Sequence, residues 1–346
     1  MKYKFDMEYF KNVAKVIFTT DSPSGYTLNA IKKVMEFINE LGYSYKLTNK
    51  GNLIVEIEGT NNDKTVATSA HIDTLGLMVR SINSDGTLKL TNIGGPILPT
   101  LDGEYCRILT RVGTIYTGTI LSTSPAAHVF KDASSKERNI DNLCVRIDEK
   151  VSNKTEVLNL GIQSGDFVFI DPKFEITPSG FIKSRFIDDK ASVCLILTVL
   201  KYFKDNNIKP TYRTLVYFVV HEEVGHGAAS IDPNISEFVT VDMGCVGLDL
   251  NGDEFKVSIA AKDSGGPYDY ELTSKLITLA KENGIAYAVD IFPFYGSDVG
   301  AALRAGVDLK GALIGSGVAA SHGMERTHLE GIENTMGLLL CYLLSK

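Results

Sequence analysis

The feature that most constrains this fold is an interruption. At both ends of the chain, apolar residues at helical spacing alternate with short apolar runs, whereas residues 77–174 carry no long helical pattern. Leu28, Ile31, Val34, Met35, Ile38 and Leu41 recur on one helical face, and Gly42 follows as a stop signal. LIVEIEG (53–59) and TVATSAH (65–71) then read as strands, separated by the turn-forming Asn61-Asn62-Asp63. Up to residue 74 the expected order is helix, strand, strand. From 77 to 174 short β-rich pieces (LMVRSI, TLKLTNI, YCRILT, TIYTGTIL, DFVFID) are punctuated by glycine, which predicts a small barrel or sandwich. Beyond 175 the alternation returns. An amphipathic stretch covers 190–203, TLVYFVV (214–220) reads as a central buried strand, and helices are expected over 271–283 and 331–344. Further strands lie near YAVDIF and LKGALIG. The simplest assembly is an α/β domain from 1–74 and 175–346, a mixed sheet covered by helices, into which an all-β module (75–174) is inserted.

Composition removes several classes. With 44% hydrophobic and 22% charged residues, bulk disorder is excluded. A net charge of -7 argues against a nucleic-acid partner, which calls for clustered Lys and Arg. The longest apolar run, 336–344, falls short of the roughly 20 residues of a membrane span. The N-terminal MKYKFDMEYFKNVAKVIF mixes charges into its apolar residues, unlike a secretory signal. Cys106, Cys144, Cys194, Cys245 and Cys341 are scattered, without a CxxC pair. They read as small buried apolar residues in a reducing compartment, the cytoplasm.

Chemistry-bearing residues gather at the ends of predicted strands, where open α/β sheets place their sites. The clusters are His71 with Asp73, Asp188-Asp189-Lys190, His221-Glu222-Glu223, Asp242, and Arg326-Thr327-His328. Together they supply His, Asp, Glu, Asp and His, plus a spare carboxylate beside the Glu. Two divalent cations about 3.5–4 Å apart need such a set: a shared carboxylate, terminal His and carboxylate ligands, and a water between them. A general base must stand near that water without being consumed as a ligand, and adjacent Glu222 and Glu223 can divide those roles. Each cluster alone also reads as a helix cap, a turn former or a solvated strand end. Their coincidence at successive strand ends carries the metal-site expectation. HEEVGH (221–226) is not the HExxH zinc motif, because its histidines would stand about 140° apart on a helix. His128 reads as a surface residue of the β module, and His322 stays unassigned. Ser316, in Gly-Ser-Gly, lacks the fuller nucleophile elbow, and no phosphate-binding glycine motif is present.

On these residues the chain resembles the tetrahedral aminopeptidases, also called deblocking or glutamyl aminopeptidases, some of which carry the label cellulase or endoglucanase M. The shared stretches are SPSGYT (22–27), AHIDTLGLMV (70–79), TNIGG (91–95), LDGE (101–104), FIDDKAS (186–192), HEEVGHGAA (221–229), VDMG (241–244), GSDVGAA (296–302) and ERTHLE (325–330). The resemblance implies two divalent ions, usually zinc or cobalt. His71, Asp242 and a bridging Asp188 would hold one, and Glu223, His328 and the same Asp188 the other. It further implies Glu222 as general base and Asp73 as the residue orienting the His71 imidazole. The β module would be PDZ-like and serve assembly into dimers and then dodecamers, and the substrates would be short peptides with free N-termini. Thr74, Lys190 and Ser297 depart from the family's usual Glu, Arg and Thr, which touches the pocket rather than the ligands. Rival readings are an endoglucanase-type glycoside hydrolase, a metal amidohydrolase of acylated amino acids, and an assembly module with a silent site. The first needs two carboxylates and no metal, and the absence of tryptophan weighs against a sugar platform.

Overall fold

The computed structural model describes residues 3–346. The chain divides into two compact units, one of residues up to Thr74 with Phe174–Ser321 and Glu325–Lys346, the other of Leu75–Lys173 with His322–Met324. The first unit begins with α1 (Met7–Thr19), α2 (Leu28–Glu40), β1 (Tyr45–Leu47), β2 (Leu53–Ile57) and β3 (Asn61–His71). The second holds β4 (Gly76–Ile82), β5 (Leu88–Ile93), β6 (Tyr105–Leu109), β7 (Ile115–Ser122), β8 (Leu143–Ile147), α3 (Lys154–Asn159) and β9 (Phe167–Ile170). The first unit then resumes with β10 (Glu175–Ile176), β11 (Phe181–Ser184), α4 (Ile187–Asp205), β12 (Tyr212–Val219), β13 (Glu237–Val241) and β14 (Gly244–Cys245). It ends with β15 (Val257–Asp263), β16 (Gly266–Pro267), α5 (Tyr270–Glu282), β17 (Tyr287–Ile291), α6 (Asp298–Arg304), β18 (Lys310–Val318), β19 (Glu325–His328) and α7 (Leu329–Leu344).

Ten strands of the first unit form one mixed sheet in the order β1-β2-β12-β3-β13-β18-β15-β16, with β14 beside β18 and β17 beside β15. Its middle strands β12, β3, β13 and β18 are parallel, flanked by antiparallel β2 and β15. The sequence of β12 explains why both faces are covered. Val216 and Phe218, with Val220 just after the strand, enter a core shared with residues of α1, α2, α4, α5 and α7. Leu215, Tyr217 and Val219 enter a second core with Ala228, Ile231, Phe292, Val299 and Ala302. Successive side chains of an extended strand point to opposite faces, so a strand buried on both must be apolar throughout. Each such side chain contributes about 1.5–3 kcal/mol on burial.

Three local expectations are corrected. The stretch read as an amphipathic helix over 190–203 is the longer α4, buried from Ile187 through Leu200. Packed against β3, α1 and α7, it has no wet face. Helix α1 was not expected, although Phe10, Val13, Ala14, Ile17 and Phe18 recur at helical spacing and are buried, because interleaved lysines dilute the stripe. Asn61-Asn62-Asp63, read as a turn, begin β3, and the turn lies just before them, where Asn62 accepts the Gly59 N–H.

In the second unit the six strands close into a barrel in the order β4-β5-β8-β7-β6-β9. Leu77, Val79, Leu90, Ile108, Ile120, Val145 and Val168 are buried, as alternation in a closed small barrel requires. All five cysteines are free thiols, Cys245 half-buried and the others buried. Among the described residues no helix is long and apolar enough to cross a membrane.

Candidate active site

Because β12, β3 and β13 are parallel neighbours, their C-terminal ends lie along one edge of the sheet. His71 ends β3, in register with Val219, the last residue of β12. Glu222 and Glu223 follow β12, Asp242 follows β13, and Asp188 and Asp189 stand in the first turn of α4. The peptide joining those two aspartates is cis.

His71 sits at the centre of the group. Its Nε2 is 3.1 Å from Asp188 Oδ1, 3.9 Å from Glu222 Oε2 and 4.0 Å from Asp242 Oδ2. Ligand atoms of His71, Asp188 and Glu223 lie within 4.8 Å of one another, as do those of His71, Asp189 and Asp242. Burial, reinforced by neighbouring carboxylates, holds Glu222, Glu223 and Asp189 well above the usual carboxylate range and Asp242 at about 7. For His71 burial opposes the charged ring, but Asp188, Asp242, Glu222 and Asp189 together raise it. A bare cluster of this kind repels itself, and a divalent cation among the carboxylates reverses that sign. One imidazole and several carboxylates suit a borderline divalent ion such as zinc or cobalt. The donor set fits the implied metals.

Asp73 takes a wider role than orienting an imidazole. His71 Nδ1 donates to the backbone carbonyl of Asp73 at 2.9 Å, while the Asp73 carboxylate is 3.6 Å from that nitrogen. The carboxylate instead accepts the backbone N–H groups of Glu222 (3.1 Å) and Glu223 (3.3 Å) and the Ser24 hydroxyl (2.5 Å). It fixes the backbone that carries both glutamates.

His328 does not join the cluster. It is the N-cap of α7: its Nδ1 accepts the Glu330 N–H, and its Nε2 donates to the Ser179 carbonyl at 2.8 Å. The ring is packed between Phe181 and Phe255. With one nitrogen accepting and the other donating, no electron pair is left for a metal. That corrects its expected place as a ligand. The variant His328→Ala is expected to keep the full metal complement and wild-type kcat, checked by elemental analysis and peptide turnover. Loss of metal would return it to the ligand set. His322, in the second unit, donates from Nδ1 to the Gly95 carbonyl at 3.0 Å.

Other residues fall out as follows. His221 and His226 stack with ring centroids 5.0 Å apart in a loop, not a helix. Ser316 is buried and bonded to Thr335, and Gly315 before it has no room for a Cβ, which would lie 1.6 Å from the Asp242 carbonyl oxygen. Lys190 donates to the Thr20 carbonyl at 2.6 Å, and Ser297 pairs with the Tyr268 hydroxyl at 2.8 Å. Two site carboxylates were given no role from the sequence. Asp189 accepts the His71 N–H at 3.0 Å. Asp298, raised by burial to about 7, accepts the Ala228 N–H at 2.8 Å. The doubled aspartate was a visible signal for the first, and the second had none beyond its place in GSDVG.

The sequence profile of the M42 glutamyl aminopeptidase family matches residues 51–338. YhfE of Bacillus subtilis, assigned by name to the aminopeptidases, is 42% identical over 332 residues, covering 96% of each chain. An aminopeptidase of the archaeon Desulfurococcus kamchatkensis has a similar structure, with a TM-score of 0.87 at 21% identity over 98% of this chain and 95% of that one. The TET1 peptidase of Pyrococcus horikoshii, described as assembling into a tetrahedron or a large octahedral shell, gives a TM-score of 0.81 at 23% identity over 97% and 100%.

Proposed function

The chain belongs to the M42 glutamyl aminopeptidase family, and from that premise we propose that it releases N-terminal residues from short peptides at a two-metal site. It is a peptide hydrolase of the metal-dependent aminopeptidase type. The observation that carries the site assignment is the ring of buried carboxylates around His71, mutually repelling until a cation joins them. His71, Asp188, Glu223 and Asp242 would hold the ions. Zinc or cobalt suits this donor set. Bound there, such ions would supply a water of lowered pKa and a Lewis acid for the scissile carbonyl.

The chain's own residues do the rest. Glu222, held by Asp73 and bonded through no side-chain ligand role, takes the proton of the attacking water and returns it to the leaving amine nitrogen. A free N-terminal ammonium suits a pocket edged by several carboxylates, which favours cleavage at the first peptide bond over internal cleavage. The tetrahedral and octahedral assemblies of the Pyrococcus horikoshii relative support a homo-oligomer. In this reading a dimer builds towards a dodecamer, with the 75–174 module, of PDZ-like type, as assembly element on a 1–74 and 175–346 catalytic domain. A cytoplasmic location agrees with five free thiols.

The endoglucanase reading is weaker, since a glycosidase separates two carboxylates across the substrate instead of crowding several about an imidazole. The test uses protein stripped by a chelator and reloaded with zinc or cobalt, on short peptides of which half are N-acetylated. Metal-dependent release from free N-termini alone is expected. Release from the acetylated set would point to an amidohydrolase, and activity that survives chelation would defeat the metal site.

A further inference from the structure

The loop carrying Glu222 and Glu223 leaves β12 at Val220 and returns at Gly227, with no helix or strand of its own. Its front is held by Asp73. Its two ends are bridged at the base by one side chain far away in sequence. Asn52, fully buried at the start of β2, accepts the Val220 N–H on Oδ1 (3.0 Å) and donates from Nδ2 to the Gly227 carbonyl (3.1 Å). Asn52 is itself fixed, its N–H donating to Thr48 Oγ1 at 3.0 Å and its carbonyl accepting the Thr48 N–H at 2.9 Å. Lys50 adds donors to the His226 and Gly227 carbonyls. Gly227 has no space to move into: a Cβ there would lie 2.4 Å from both Asp298 Oδ1 and Val219 Cγ1.

We propose that Asn52 is a positioning residue for the reaction, an amide rung across the base of the loop that sets where Glu222 and Glu223 stand. The proposal rests on the roles given to those glutamates above. Only an amide supplies a donor and an acceptor side by side at this length. Aspartate offers acceptors alone, and leucine, of similar size, offers neither. A displacement of about 1 Å at a proton-transferring carboxylate is enough to cost about a hundredfold in rate.

A matched control exists within the same unit. Asn334 on α7 makes the same double bridge, accepting the Ala286 N–H (3.2 Å) and donating to the Phe255 carbonyl (2.9 Å), and is also buried. Asn52→Leu and Asn334→Leu therefore remove equivalent bonds, one at the loop and one elsewhere. Both are expected to melt at lower temperature. Only N52L is expected to lose kcat, by about 10–100-fold with KM within about twofold of wild type. In competition with a chromophoric chelator, only N52L should bind zinc more weakly, by about tenfold. If N52L matches N334L in both kcat and zinc affinity, Asn52 is merely structural and the proposal is overturned. Should N52L fail to fold, Asn52→Asp keeps the bond from Val220 and loses the one to Gly227. A smaller loss in the same direction supports the rung, and wild-type kcat and zinc affinity in N52D overturn it. The zinc arm needs no turnover. If wild type cleaves no peptide while N52L alone loses zinc affinity, the aminopeptidase reading fails and the rung stands.

Discussion

Replacing Glu222 by glutamine is expected to lower kcat by about 10²–10⁴-fold, the usual contribution of a positioned general base. At about 1.4 kcal/mol per decade, that removes about 3–5 kcal/mol of transition-state stabilisation. Glutamine keeps the length and shape of the side chain, and the backbone N–H of residue 222 still reaches Asp73. What it loses is a basic oxygen. Because Glu223, and not Glu222, is assigned to the metal, E222Q should retain the wild-type metal complement and an unchanged KM. The measurement is steady-state kinetics on a short free peptide beside elemental analysis of the same preparation. Wild-type turnover in E222Q would move the general base elsewhere, and a missing metal equivalent would make Glu222 a ligand.

Asp73→Asn should lower kcat/KM by about 10–100-fold. Both oxygens of Asp73 are in use, Oδ1 for the Glu222 N–H and Oδ2 for the Glu223 N–H and the Ser24 hydroxyl. The asparagine NH2 turns one of these acceptors into a donor facing another donor. Asp73→Ala goes further, leaving two backbone donors without that partner, each at a cost of about 1–3 kcal/mol. The His71 tautomer should survive either change, because its Nδ1 bonds to the main-chain carbonyl of residue 73. Losses should therefore appear in kcat first and in the metal contact of Glu223 second. D73N with wild-type kinetics would show that the loop holds its glutamates without this carboxylate.

Much of the site was legible because it lies where strong local patterns end. TVATS runs into His71, TLVYFVV into Glu222 and Glu223, and FVTV into Asp242. Apolar strands in a covered sheet announce themselves, and a polar residue directly after one has few structural reasons to be there. The β texture of 77–174 was legible for the same reason, while the choice of a closed barrel over a sandwich required the pairing of β4 with β9.

What sequence alone supplied here is therefore periodicity and strand ends: the α/β class, the expectation of an inserted β module, and a proposed chemical set of His71, Asp188, Glu222, Glu223, Asp242 and His328, the last of which the structure places apart. What only tertiary structure decided is who bonds to whom across the chain. Asn52 reaches Val220 over 168 positions and Asp188 meets His71 over 117, and no local pattern encodes either distance. His322 and His328 stand close in sequence and are alike as residues. Their ring hydrogen bonds separate them, one made to the Gly95 carbonyl, the other spent on capping α7. Hydrophobic pattern is a property of neighbouring residues, whereas a hydrogen bond needs two specific atoms brought within about 3 Å, and only the folded chain does that.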